Sequence, residues 1–144
     1  MSRSLIICLL LTVATLAVYG QALTFEFVEY DDDIYVTQNA HIRKGLTLSG
    51  LRWVFTSEHG GNWHPLTGLS HMLDCELFQL KPAGHHLISV ILHLLNTLLM
   101  FGVLRSMTRA SWPSAFVAAM FGLHPLHVES VAWISERKDV LSTC

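Results

Sequence analysis

Two runs of nineteen residues without a charge dominate this sequence: Leu5–Leu23, "LIICLLLTVATLAVYGQAL", and His86–Leu104, "HLISVILHLLNTLLMFGVL". A helix of about 20 apolar residues crosses the hydrocarbon core of a bilayer. Inside that core every backbone N–H and C=O must be satisfied within the protein, which favours helices. The two runs therefore point to an all-α integral membrane protein. Composition agrees, at 51% hydrophobic and 14% charged against about 25% charged in ordinary soluble domains. The net charge of -2 gives no reason to expect a nucleic-acid partner.

The first run has a rival reading as a secretory signal, with Arg3 as its basic flank and Gly20-Gln21-Ala22 as a small-x-small cleavage site. Its length favours a retained helix. Between the runs lies a polar stretch, residues 24–84, with eight acids against four bases. Within it, Leu48, Leu51, Val54 and Phe55 repeat at helical spacing, as do Leu66, Leu69, Met72, Leu73 and Leu77. Pro65 suits a first helical turn, and "EHGGN" and "KPAGH" read as breaks. The stretch thus predicts a structured loop with two short amphipathic helices at the membrane surface; a small water-soluble helical domain is the alternative. A third apolar run, residues 112–123, has only twelve residues before polarity returns in "HPLHVESVAWISERKD". That is too short to cross unaided, so the third span expected there is short, locally thinned, or continued partly into the histidine segment.

Basic residues set the expected orientation. Arg3 flanks the first run, and Arg105 and Arg109 follow the second. With both flanks in the cytoplasm, residues 24–84 and the segment from residue 124 to 144 lie together on the non-cytoplasmic side. Cys8, Cys75 and Cys144 are widely spaced and show neither a disulfide framework nor a zinc pattern. The chain stops at "DVLSTC" without a closing feature, so a longer protein is expected.

Three groups on the outer side carry chemistry. Asp31, Asp32 and Asp33 form the densest negative charge; they can solvate a loop, bind a divalent cation or supply a general base. The calcium-loop pattern is missing after Asp33. His124, His127 and Glu129 stand close together, and Arg137 and Lys138 lie between Glu136 and Asp139. Basic pairs at a membrane surface attract lipid phosphates; a local salt-bridge patch is the plainer reading. His64 and His71 are seven apart with Asp74 three further on, a weak metal pattern for which structural hydrogen bonding is the simpler account. His93 and Asn96 interrupt the second run on one helical face. Polar groups in a span face protein or a cavity, and helix–helix hydrogen bonding is expected of these two.

Taken in order, an apolar run, "YDDDIYV", "NWHPLTGLSHMLD", "KPAGHHL", a second apolar run and "HPLHVESVAWISERKD" resemble the N-terminal part of the transmembrane and tetratricopeptide-repeat proteins. That family includes eukaryotic protein O-mannosyltransferases. The resemblance implies a GT-C-like membrane glycosyltransferase that moves a mannose-like sugar from a polyprenyl-phosphate donor to a protein hydroxyl. It implies catalytic work for Asp31, Asp32 and Asp33 in the first outer loop. The second outer loop would bind the carrier phosphate through His124, His127, Glu129, Arg137 and Lys138. It leaves the metal requirement open, a divalent cation included. The expected location is a multi-pass membrane protein with its active side facing a bacterial periplasm or an ER lumen. The repeats of about 34 residues that such proteins carry are absent from this chain, so the piece alone is expected to be inactive. A non-catalytic membrane protein whose repeats bind partners is the competing class, and a secreted or anchored metal-binding protein using the histidines is a weaker third.

Overall fold

The computed structural model describes residues 2–58 and 61–144. It is all-helical among the described residues apart from turns and loops. Helix α1, Arg3–Tyr19, is capped by Ser2, whose side chain accepts from Leu5 N, and continues as a 3-10 turn, Gly20–Thr24. A π-helical turn, Asp33–Thr37, follows. Then come α2, Ala40–Arg43, α3, Leu48–Thr56, and α4, Pro65–Phe78. The long α5 covers Pro82–Thr108, and α6 covers Ser111–Gly122. Two short helices close the chain, α7, His127–Ala132, and α8, Arg137–Thr143.

Helix α1 together with its 3-10 extension, Arg3–Thr24, and helix α5 are long and apolar enough to cross a membrane. The second is longer than its uncharged run, at 27 residues. "KPAGH" is therefore not a break but a helix start: Pro82 sits in the first turn, where its missing N–H costs nothing. At the other end Arg109 adopts a left-handed conformation, φ 56°, which closes the helix four residues past the expected end. The two helices of the polar stretch form where their apolar spacing lies, and Pro65 does take the first turn of α4. The break at "EHGGN" contains His59 and Gly60, which lie outside the described residues.

Packing fixes the arrangement. Ile7 and Leu11 near the start of α1 form one cluster with Phe101 near the end of α5 and Ala118 of α6. Tyr19 at the other end of α1 and Ala22 of the 3-10 turn meet Val90 near the start of α5, together with Val131 and Val140. So α1 and α5 run antiparallel, and α6 returns alongside both. Outward, α1 presents Leu5, Leu9, Leu10 and Val13, α5 presents Ile91, Leu95, Leu99 and Val103, and α6 presents Trp112, Phe116 and Met120, all exposed. Inward, α5 buries His85, His86, Ser89, His93, Asn96 and Thr97, a polar stripe at helical spacing. A helix that is apolar outside and polar inside is suited to lipid, where polar groups turn toward protein. A third cluster, of Val36, Ile42, Met72, Cys75 and Ile134, joins the π-turn, α2 and α4 to the segment before α8. Both polar loops are therefore gathered at the same end of the bundle.

Candidate active site

The acidic triplet follows α1 by way of the 3-10 turn, and its three members have different surroundings. Asp32 is buried, with 1% of its surface exposed. One carboxylate oxygen accepts from Val28 N at 2.9 Å, the other from Ser135 N at 2.9 Å, across 103 positions of sequence. Each bond joins an ionised acceptor to a backbone donor, the stronger kind of hydrogen bond. Asp33 starts the π-turn: it accepts from Ile34 N at 2.9 Å and from Gln38 Nε2 at 3.4 Å. The carboxylate of Asp31 takes no hydrogen bond from a described residue and is half-buried. Next to it, the ring of Tyr30 lies 6.0 Å from that of Trp133, a second meeting of the two loops.

The second loop begins where α6 stops. His124 Nδ1 accepts from Leu126 N at 3.3 Å, and its carbonyl accepts from the Tyr19 hydroxyl at 3.3 Å. Pro125 has no N–H to continue the helix, and α7 starts afresh at His127. The His127 ring lies 5.4 Å from His93, 6.3 Å from His124 and 4.6 Å from Phe121. Burial, and then the neighbouring His124, hold His127 below the usual histidine range. Beside it is a cavity of about 330 Å³ lined in part by His93, His127, Ser130 and Asp139. Ser130 donates to Asp139 at 3.2 Å on its rim. Glu129 is exposed. His93 and Asn96 do what their spacing predicted. His93 Nε2 lies 2.9 Å from Gly122 O, and Asn96 Nδ2 donates to Val140 O at 2.8 Å.

The basic pair divides. Lys138 is half-buried and pairs with Glu136, the local salt bridge. Arg137 does not: its surface is 0% exposed. It donates to Asp74, to Ser89 Oγ at 3.1 Å, to Ser70 Oγ at 3.0 Å and to His85 O at 2.6 Å. Its donors are turned into the protein, onto α4 and α5, so the membrane-surface position expected for it is not where it lies. Burial draws the guanidinium below its usual range while Asp74 holds it up. Burial likewise pushes the Asp74 carboxyl up to about 6, against the pull of Arg137.

Asp74 brings together a group that the sequence reading caught only in part. His71, Asp74 and His85 are all buried, with potential ligand atoms within 4.8 Å of one another. His64 lies outside this group; it lines a shallow cleft with Trp63, Thr67 and Lys138. His85 was missed because it belongs to another helix. Its only sequence signal is the pair His85-His86 at the start of an otherwise apolar run.

Over 145 residues the chain is 34% identical to the protein O-mannosyl-transferase TMTC1 of Homo sapiens, an alignment taking in 92% of this chain and 16% of that protein. It is 32% identical over 131 residues to Tmtc1 of Drosophila melanogaster, 86% of this chain and 15% of that protein. Against Tmtc2 of Drosophila melanogaster it is 31% identical over 145 residues, with 95% and 15% covered. The chain thus spans about one sixth of the length of the relatives it matches. No family model and no solved structure matches it.

Proposed function

Because the chain belongs to the TMTC family of protein O-mannosyl-transferases, and is a membrane protein as that family and its two long apolar helices indicate, we propose that it supplies part of a membrane glycosyltransferase centre. The proposed reaction moves a mannose-like sugar from a polyprenyl-phosphate donor to a protein hydroxyl on the non-cytoplasmic side. Asp31 takes the proton of the acceptor hydroxyl as its oxygen bonds to the sugar carbon. The bond from that carbon to the phosphate oxygen breaks, and the prenyl phosphate leaves with the electron pair. His124, His127 and Lys138 are the groups on the second loop that can meet the developing charge, where fixed donors act most strongly.

The observation that supports this division of labour is the tether at Asp32. Both of its carboxylate oxygens are occupied by backbone N–H groups of different loops, so it suits holding the loops together better than accepting a substrate proton. Asp31, one residue away with its carboxylate unbonded by any described residue, suits that task. The test is sugar transfer by the full-length protein at matched expression. Asp31→Asn is expected to lose about 100- to 10,000-fold, the usual worth of a general base. Transfer at the parent rate by Asp31→Asn and by the triple variant of residues 31–33 would remove the acidic loop from the chemistry.

A further inference from the structure

We propose that His71, Asp74 and His85 form a binding site for a divalent transition-metal ion of the zinc type, fastening α4 to the start of α5. This is independent of the transferase reading. Helix α4 carries His71 and Asp74 three residues apart, hence on one face. Helix α5 brings His85 opposite them. All three are buried, at 1%, 0% and 0% exposure, and their ligand atoms lie within 4.8 Å of one another. Two imidazoles and one carboxylate are a recurrent set for zinc.

Three details favour an ion over a simple polar cluster. His85 Nε2 lies 2.9 Å from the carbonyl of Gln79. A carbonyl only accepts, so Nε2 carries a hydrogen; in the neutral ring Nδ1 then keeps its lone pair, the form in which a histidine ligates metal. With the ring neutral and the carboxylate ionised, that lone pair faces Asp74 Oδ2 at 3.3 Å, and two acceptors confront each other. Tetrahedral zinc with bonds of about 2.0–2.1 Å needs ligand atoms about 3.3–3.4 Å apart, which is this separation. Finally, Asp74 Oδ1 is buried without a hydrogen bond, a costly arrangement that a cation at the carboxylate would relieve.

Arg137 also donates to Asp74 Oδ2 and brings a positive charge close. Ligating carboxylates are commonly held by such outer hydrogen bonds. The Asp32 carboxylate acts on Arg137 as well, after Asp74 itself, and adds negative charge to the surroundings of the site.

The experiment uses the full-length protein, purified in detergent through a tag without histidine, stripped with chelator and titrated with zinc chloride or cobalt(II) chloride. About one equivalent should survive desalting, with the visible bands of tetrahedral cobalt(II). Both should be lost in His71→Gln and His85→Gln and kept in His41→Gln, whose exposed ring stacks on Trp53. X-ray absorption on the zinc-loaded parent should find two imidazoles per ion, a readout that stands even if the two variants fail to fold. No retained metal in the parent, equal retention by folded His71→Gln and His85→Gln, or an ion surrounded by water oxygens would each overturn the site.

Discussion

Arg137 shows what one residue can commit a fold to. A guanidinium with no accessible surface is tolerated only while its donors are matched, and Asp74, Ser70, Ser89 and the His85 carbonyl match them. Removing one partner leaves an unpaired buried charge, which costs about 3–5 kcal/mol. Arg137→Leu is therefore expected to destabilise the protein by that amount in denaturant titrations. Arg137→Met combined with Asp74→Leu should cost clearly less than the two single changes summed; additive losses would mean that the pair is not coupled. His127 gives a second expectation. Its folded pKa lies below the ordinary value of about 6.5. A histidine harder to protonate when folded contributes stability that is full above the unfolded pKa and is lost as pH falls through the folded one. Its NMR titration should have a midpoint below 6.5 and move upward when a phosphate headgroup binds beside it. A midpoint at or above 6.5 in the free protein would contradict its burial beside His124.

At the scale of elements, the contact between α5 and α6 depends on a missing side chain. A Cβ on Gly122 would sit 2.7 Å from both Cγ2 and Oγ1 of Thr97. Gly122→Ala should therefore force α6 away from α5 at a cost of about 1–3 kcal/mol. Thr97→Ala in the same chain should recover part of that loss in thermal unfolding, whereas no recovery would place the strain elsewhere. How much of this architecture the sequence discloses follows from the range of each interaction. Helices α1, α3, α4 and α5 were legible because apolar spacing, Pro65 and the uncharged runs act within a few turns. The inward turn of His93 and Asn96 was legible because lipid leaves polar groups nowhere else to go. The burial of Arg137 was not legible, because its partners lie 48 to 67 positions away and "SERKD" by itself reads as a wet surface patch. For the same reason the triplet "DDD" gave no sign of which aspartate is tied down. Helix α6 stops after twelve residues, as its short apolar run required.

For the whole molecule, the gathering of both loops at one end predicts a shared compartment. With Cys8, Cys75 and Cys144 replaced, single cysteines at Gln38 and Val128 should both react with an impermeant thiol reagent from the non-cytoplasmic side. A cysteine at the exposed Met107 should react only after the membrane is opened. Labelling of Gln38→Cys and Val128→Cys from opposite sides would break this arrangement. The bond between Asp32 and Ser135 has a further consequence, in time rather than space. Its partners are separated by 103 positions, and ribosomes add roughly 5–20 residues per second, so Ser135 is synthesised about 5–20 s after Asp32. During that interval α1 can insert and the first loop can emerge, but the carboxylate that will hold it has only water and Val28 to bind. The acidic loop is thus made well before its partner, and it is tied in place only after α6 has carried the chain back to meet it.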